Sequence, residues 1–370
     1  MRRIFLTILL LIFITPNICL ADDDLLFEEL EPFSYPIQST SSDNSISTYS
    51  NNIVVFDRKT KLVLFDKNYN EKVPMASTTK IMTCILALEN LDYKKNPVYS
   101  ISESAASATG STLGLKYNNT ISLEDLLYGL MLRSGNDCAI LLAEIISENI
   151  DNFSKLMNDK ASSLGLKNSN FITPHGLDDK NHYSTAYDLA ILTDYALQND
   201  TFRKIVSTKS KTIVLNGTST NINNTNELLG NFDGIYGVKT GFTFGAGRCL
   251  ISAYKNDTFD IIIVVLGANS KSIRAKDTKT VINYINKNFK YINLENIIKE
   301  SFELSKKDIY KLITLEKTTD IPEFYLDKQL NYNFPIKLDG KQIFYTKLYL
   351  TPKLSNKTTK DSIIRKFFSI

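Results

Sequence analysis

The sequence contains no tryptophan, only two histidines and four cysteines, and little excess charge. Its formal net charge of +3 over 370 residues, without a dense stripe of lysine and arginine among aromatic side chains, argues against a nucleic-acid partner. No cluster of His, Cys and Asp has the spacing of a zinc site, so we expect no metal and no cofactor. His175 and His182 lie in one segment without the acidic partner of a Ser-His-Asp triad, which favours a structural role for both in ordering residues 173–177.

The first 21 residues have the features of an export signal. Arg2 and Arg3 precede an apolar run at residues 4–14, and Ala21 is a small residue followed directly by acidic residues. The apolar run is shorter than the roughly 20 residues of a membrane-spanning helix. We therefore expect residues 1–21 to be a cleaved signal peptide and the protein to act outside the cytoplasm, in the cell wall or at the outer face of the cytoplasmic membrane.

The cysteines favour an apolar, buried role. Cys19 belongs to the predicted signal peptide, which leaves Cys84, Cys138 and Cys249. An odd number of cysteines in apolar segments fits small hydrophobic side chains better than a disulfide framework or a nucleophile.

The pattern of apolar and polar residues indicates two domains after a linker. Residues 22–48 are acidic and then rich in Ser, Thr, Asn and Pro, which predicts a flexible linker. Residues 49–291 combine an N-terminal β-hairpin (53–56 and 62–65), a helical block at 120–200 and later strands, which indicates one α+β domain whose chain ends meet in a sheet. Residues 292–370 have short alternating runs, such as 311–315 and 342–345, and predict a small β-rich domain.

Within the predicted α+β domain, we expect further elements at defined places. Helices are predicted to begin near Ser77, at the capping sequence 122–125 and at 185–188, and a last helix to span 272–289. Strands are predicted at 210–215, 248–254 and 259–266.

Three short polar motifs carry the chemistry: Ser77-Thr78-Thr79-Lys80, Ser134-Gly135-Asn136 and Lys239-Thr240-Gly241. Each motif alone is weak evidence for a catalytic site, because a capping serine, a loop asparagine or a solvated lysine would explain the same residues. In this order, and with these flanks, they predict a serine acyl-transfer site that uses lysine where most hydrolases use histidine.

The first motif places a serine and a lysine on one face of a helix start. Ser77 and Lys80 are three residues apart, so they can form a hydrogen bond. The apolar residues that follow are expected to desolvate Lys80 and lower its pKa, which makes a neutral amine available as a base. The Ser77 amide, at the positive end of the helix, is available to an oxyanion.

The other two motifs are expected to complete the cleft. Gly135 lets the loop between two apolar helices turn tightly and place Ser134 and Asn136 on one side. The third motif fits a strand whose glycine permits close approach of a substrate backbone, with a lysine and hydroxyls aimed at a carboxylate. It also fits a solvated edge strand that ends in a turn.

With its three motifs in this order, the chain resembles the serine D-alanyl-D-alanine carboxypeptidases, the low-molecular-mass penicillin-binding proteins. The similarity covers residues 49–290 and extends beyond the motifs to residues 173–177, 182–186, 224–226 and 237–241. The resemblance implies a β-lactamase/transpeptidase-like fold followed by a small β-rich domain. It also implies removal of the terminal D-alanine from peptidoglycan stem peptides, with β-lactam antibiotics as covalent inhibitors.

The resemblance also implies a role for each motif residue. Ser77 is the acylated nucleophile, Lys80 its general base and Ser134 a proton relay to the departing D-alanine. Asn136 holds the substrate backbone. The remaining implied substrate contacts all lie in the third motif and the residue after it: Lys239 and Thr240 bind the terminal carboxylate, Gly241 lies in the same binding strand, and the amides of Ser77 and Phe242 form the oxyanion hole.

Two alternatives and one departure from the family pattern remain. A β-lactamase shares the acylation machinery but needs a deacylating base, and no Glu-x-x-x-Asn segment follows residues 134–136. A non-catalytic penicillin-recognising wall-binding protein has less need of the intact serines and lysines. Many family members end in a long amphipathic anchor, whereas residues 361–370 offer only a short apolar face for peripheral membrane contact.

Overall fold

The computed structural model describes residues 34–38, 46–293, 331–338 and 341–349. The predicted signal peptide, the run at 311–315 and the C-terminal segment 361–370 lie outside these ranges. The chain divides into two compact units, of which Ser41–Lys290 carries all three motifs. The described strands at 34–38, 331–338 and 341–349 belong to the other unit.

The described helices alternate with short strands in the first half of the larger unit, and long strands follow. The helices are a 3-10 helix at Ala76–Thr79, α1 (Lys80–Asn90), α2 (Glu103–Ala106), α3 (Leu123–Leu132), α4 (Asn136–Ser147), α5 (Ile150–Ser163), α6 (Ala186–Ala196), α7 (Asp200–Ser207) and α8 (Lys271–Asn288). The strands are β1 (Ser34–Gln38), β2 (Asn52–Asp57), β3 (Val63–Lys67), β4 (Val98–Ser100), β5 (Thr120–Ser122), β6 (Ser210–Leu215), β7 (Thr218–Asn223), β8 (Ile235–Thr243), β9 (Gly247–Lys255), β10 (Asp260–Ala268), β11 (Phe289–Asn293), β12 (Asn331–Leu338) and β13 (Lys341–Tyr349).

A five-stranded antiparallel sheet, in the order β3-β2-β10-β9-β8, supports the larger unit. The N-terminal hairpin therefore pairs with a late strand, and the expected α+β fold, with chain ends that meet in one sheet, is confirmed. Residues 261–266 of β10 are completely buried. Such a run indicates a strand covered on both faces, and helices α6 and α8 both pack on β10.

Local signals in the sequence account for most of the helix starts. The Ser122 side chain accepts a hydrogen bond from the Asp125 amide, and Thr185 accepts one from the Asp188 amide, as expected of N-cap residues. The helix expected from Ser77 begins instead as a short 3-10 helix, and its α-helical part begins at Lys80. Strands β4, β5 and β7 were not predicted, since two are only three residues long and β7 is almost entirely polar.

The N-terminal linker and the cysteines can be compared with the structure directly. Strand β1 falls within residues 22–48, where a flexible linker was predicted, and pairs with β11. A pairing this distant in sequence leaves no local pattern. Cys84, Cys138 and Cys249 are buried free thiols, which confirms their apolar role. Among the described residues, no helix has the length and apolar content needed to cross a membrane.

Candidate active site

Lys80 is at the centre of the candidate site and is completely buried. Its Nζ lies 2.9 Å from Ser77 Oγ, 2.7 Å from Asn136 Oδ1 and 2.9 Å from the His175 carbonyl oxygen. The Asn136 amide is oriented because its Nδ2 donates to the Thr109 carbonyl oxygen at 2.6 Å. Three segments far apart in the sequence thus converge on one amine.

Burial sets the protonation of Lys80. The pKa of Lys80 lies well below its ordinary value, first because burial disfavours the charged ammonium and second because the positive charge of Lys239 is nearby. The side chains of Ile81 and Met82, next in α1, are also completely buried. The predicted desolvation of this lysine is therefore present in the structure.

The Ser134 loop is shaped by space as well as by backbone conformation. Ser134 itself has a positive φ of 61°, whereas Gly135 has an ordinary φ of −60°. A Cβ at Gly135 would lie 2.6 Å from Asp137 Oδ1 and 2.7 Å from Cys138 Sγ. The unusual backbone conformation expected at Gly135 is thus found at Ser134. Position 135 needs glycine for a different reason, because a side chain there would clash with Asp137 and Cys138.

Asp137 was missed by the sequence reasoning although it adjoins the second motif. Its buried carboxylate accepts hydrogen bonds from the amides of Leu113, Gly114 and Leu115 at 2.8–3.0 Å. The segment that contains Leu113 is also joined to the Ser134 loop by a 2.7 Å hydrogen bond from the backbone N–H of Asn136 to the Ser111 carbonyl oxygen. Residues 109–115 therefore form one wall beside Ser134 and Asn136. The only signal for this wall in the sequence was the acidic residue Asp137, directly after the motif.

Strand β8 brings the third motif to the same place. Lys239 is 1% exposed, and its Nζ donates to the Thr240 carbonyl oxygen at 3.0 Å. Burial, followed by the charge of Arg274, lowers the pKa of Lys239 to about 7. The Thr240 hydroxyl lies 2.7 Å from the hydroxyl of Thr225. Both side chains expected at a carboxylate are thus in the site, and β8 is the edge strand of its sheet.

Gly241 allows β8 to approach the Ser77 backbone. A Cβ at Gly241 would lie 3.1 Å from Ala76 Cβ and 3.2 Å from the Ser77 nitrogen. The close approach expected between this glycine and a substrate is therefore made, in the structure, to the chain's own 3-10 helix. The Phe242 side chain is 42% exposed, with the Arg248 guanidinium 3.6 Å from its ring centroid.

Arg274, in α8, is a second residue that the sequence reasoning missed. It is 3% exposed and donates to both carboxylate oxygens of Glu227 at 2.8 Å. It also donates to the carbonyl oxygens of Gly241 at 3.3 Å and Cys249 at 3.0 Å. Its charge lies near Lys239 and its bonds hold β8 and β9, but an arginine in an amphipathic helix gives no local signal of such a role.

The two histidines order the 173–177 loop, as predicted. His182 is 2% exposed, and its Nδ1 accepts hydrogen bonds from the amides of Ile172 at 2.9 Å and Thr173 at 3.3 Å. Its Nε2 lies 2.8 Å from Thr79 Oγ1. His175 contributes more than loop order, because its carbonyl oxygen is a partner of Lys80.

Comparisons with known proteins place this chain in a family. Residues 38–270 match the model of the peptidase S11 family, described as D-alanyl-D-alanine carboxypeptidase. The chain is 32% identical to D-alanyl-D-alanine carboxypeptidase DacF of Bacillus subtilis (strain 168), over 77% of this chain and 75% of that protein. It is 34% identical to DacC of Escherichia coli (strain K12), over 62% of this chain and 60% of that protein.

Solved structures agree with the sequence comparisons. A mutant of the Streptomyces K15 DD-transpeptidase has a TM-score of 0.62 at 30% identity, and the match covers 66% of this chain and all of that one. A D-alanyl-D-alanine carboxypeptidase from Mycobacterium tuberculosis H37Rv has a TM-score of 0.63 at 28% identity, covering 67% of this chain and 95% of that one. The chain belongs to the peptidase S11 family, and the resemblance drawn from its motifs is confirmed.

Proposed function

We propose that this protein is a serine-type D-alanyl-D-alanine carboxypeptidase that removes the terminal D-alanine from peptidoglycan stem peptides through an acyl-enzyme on Ser77. The observation that carries the proposal is the 2.9 Å contact of the buried Lys80 Nζ with Ser77 Oγ. A neutral amine has two protons and one lone pair. Asn136 Oδ1 and the His175 carbonyl oxygen can only accept, so they take both protons and leave the lone pair for the Ser77 hydroxyl.

The proposed reaction follows from this arrangement. Ser77 Oγ bonds to the carbonyl carbon of the penultimate D-alanine while Lys80 Nζ takes the hydroxyl proton. The carbonyl oxygen gains the electron pair and accepts hydrogen bonds from the amides of Ser77 and Phe242. The C–N bond then breaks, and Ser134 relays the proton that Lys80 took from Ser77 to the departing amine, which leaves Lys80 neutral. Water hydrolyses the ester, with Lys80 again as base, and Ser77 is restored.

The substrate is proposed to lie along β8. β8 is an edge strand, and an edge strand presents backbone N–H and C=O groups with which an extended peptide can pair. Lys239 and Thr240 bind the terminal carboxylate in a charge-assisted contact within a buried pocket. The Asn136 amide uses one Nδ2 proton on Thr109, so its second Nδ2 proton is available to a substrate carbonyl group.

The proposal extends to partners and location. The same acylation step makes β-lactam antibiotics covalent inhibitors, since they present a reactive carbonyl group to Ser77. The predicted export signal and the proposed stem-peptide substrate support a location at the cell wall or at the outer face of the cytoplasmic membrane. Peripheral membrane contact through the C-terminal residues is part of this proposal.

The proposal is tested by comparing a pentapeptide that ends in D-Ala-D-Ala with the same peptide amidated at its C-terminus. Wild type should strongly prefer the free acid. Truncating one partner of a buried charged contact costs about 2 to 5 kcal/mol. Lys239→Ala should therefore lower kcat/KM for the acid by about 30-fold to 4000-fold, at about 1.4 kcal/mol per tenfold, and should abolish the preference.

Two controls make this experiment specific. Lys180→Ala removes an exposed lysine that lies in the sequence between residues 173–177 and His182, and it should leave the preference for the free acid unchanged. Ser77→Ala should abolish covalent labelling by a fluorescent penicillin. Equal cleavage of acid and amide by wild type would contradict a carboxypeptidase and favour an endopeptidase, and undiminished labelling of Ser77→Ala would refute the assigned nucleophile.

A further inference from the structure

The peptide group between Ala76 and Ser77 is held unusually firmly. Ala76 is 1% exposed and has a positive φ of 50°, a conformation that costs a non-glycine residue energy. Its carbonyl oxygen accepts a 2.8 Å hydrogen bond from Thr79 Oγ1. Gly176 lies against the same oxygen so closely that a Cβ there would be 1.9 Å away. Because a peptide group is planar, fixing this carbonyl also fixes the direction of the Ser77 N–H.

The hydrogen bonds around His182 have only one consistent direction. Nδ1 accepts from the amides of Ile172 and Thr173, so it carries no proton and the ring proton is on Nε2. Nε2 therefore donates to Thr79 Oγ1 across 2.8 Å. Thr79 has a single hydroxyl proton, which goes to the Ala76 carbonyl oxygen. The result is a directed chain from His182 through Thr79 to the Ala76–Ser77 peptide.

The imidazole has no freedom to leave this chain. Phe171 packs edge-to-face on the imidazole, with ring centroids 6.0 Å apart, and the backbone amide of His182 donates to the Asp179 carbonyl oxygen at 2.9 Å. Its two ring nitrogens are both engaged. Successive hydrogen bonds polarise one another in a buried environment, so a donor at one end strengthens the last bond of the chain.

We propose that His182 is a positioning residue for the acylation step, which acts through Thr79 to orient and polarise the Ala76–Ser77 peptide. The inference rests on the proposed function, in which the Ser77 N–H is a donor to the oxyanion. His182 touches neither substrate nor Ser77. Its effect belongs to the transition state, where the oxyanion carries full charge, and the binding of substrate before reaction does not depend on it.

Matched substitutions separate the two ends of the imidazole. His182→Asn keeps an acceptor near the Nδ1 position for the loop amides and loses the donor to Thr79. Thr79→Val keeps the shape of residue 79 and removes the hydroxyl, whereas Thr79→Ser keeps the hydroxyl. The measurements are the single-turnover acylation rate with a fluorescent penicillin, the apparent Kd before acylation, and the midpoint of urea unfolding.

Removing an oxyanion donor costs roughly 10²- to 10³-fold in rate. Because the Ser77 donor remains but loses its support, we expect about a tenfold to hundredfold slower acylation in His182→Asn and Thr79→Val, with Kd unchanged. Thr79→Ser should recover most of the rate. The double variant His182→Asn/Thr79→Val should be no slower than the slower single variant, since both break the same chain.

Several outcomes would overturn the inference. They are normal acylation in a folded His182→Asn with only a lowered unfolding midpoint, losses that multiply in the double variant, and a change in Kd alone. If His182→Asn does not fold, Thr79→Val against Thr79→Ser decides the matter, because a normal rate in Thr79→Val refutes the chain. Failure of the proposed function is distinct, since wild-type Ser77 would then not be acylated at all.

Discussion

Gly176 occupies a position where any side chain would displace the backbone of the candidate site. Its φ is +86°, and a Cβ there would lie 1.9 Å from the Ala76 carbonyl oxygen and 2.6 Å from Thr79 Oγ1. Contacts below 3.0 Å are not formed by real Cβ atoms, so the Ala76 carbonyl must move by about an ångström. Gly176→Ala is therefore expected to change both stability and acylation.

A second glycine separates the two parts of this cost. Gly217, in the β6–β7 turn, also has a positive φ of 78°, but a Cβ there has nothing within 4 Å. Gly217→Ala should cost roughly 1 to 2 kcal/mol for the left-handed conformation alone. Gly176→Ala has the same conformational cost and also overpacks the site, which costs about 1 to 3 kcal/mol. Its total loss of unfolding free energy should therefore be roughly 2 to 5 kcal/mol.

Urea unfolding of both variants measures the difference directly, and fluorescent-penicillin acylation measures its effect on the site. Gly217→Ala should acylate at the wild-type rate, whereas Gly176→Ala should be slowed at least tenfold even in dilute buffer where it remains folded, because the Ser77 amide moves with the Ala76 carbonyl. Equal destabilisation of the two variants, or a normal acylation rate in Gly176→Ala, would refute this reasoning.

Two further predictions concern protonation. Lys80→Arg keeps a positive charge but cannot supply a neutral amine, so acylation should fall by orders of magnitude in a folded protein; near-normal acylation would place the base elsewhere. The pKa of His182 is lowered from 6.5 to about 4, mainly by burial against the smaller opposing effects of Asp179 and Asp178. Between these pH values the unfolded chain binds a proton that the folded chain does not, so the free energy of unfolding should decrease by up to about 1.4 kcal/mol for each unit by which the pH is lowered from 6.5 towards 4. Urea unfolding at several pH values should show a shallower slope in His182→Asn, and an unchanged slope would contradict the assignment.

The parts of the site that the sequence predicted are those that local chemistry determines. A serine and a lysine three residues apart at a helix start must share a face of the helix. The apolar residues after Lys80 predict that the lysine side chain is buried. Hairpin β2–β3 and the caps at Ser122 and Thr185 were likewise readable from short patterns. In each case the relevant contact lies within a few residues of the pattern that predicts it.

The parts that were not predicted depend on contacts between distant segments or on backbone atoms. The His175 carbonyl oxygen has the same chemistry as any other carbonyl oxygen, and only the fold brings it to Lys80. Arg274 reaches β8 from a helix that begins only after two further strands, β9 and β10. Gly176 and Gly241 were noticed as parts of motifs, but the atoms that require them to be glycine belong to Ala76 and Ser77.

The electrostatics of the site explain how a chain with two histidines, both used for structure, can still supply a base. The charge of Arg274 adds to burial in lowering the pKa of Lys239 to about 7. Lys239 in turn adds to burial in lowering the pKa of Lys80. In the proposed function, a substrate carboxylate bound at Lys239 favours the charged form of that lysine. Because the bound carboxylate also offsets the charge of Lys239, burial, the larger of the two causes, is what keeps the neutral amine beside Ser77.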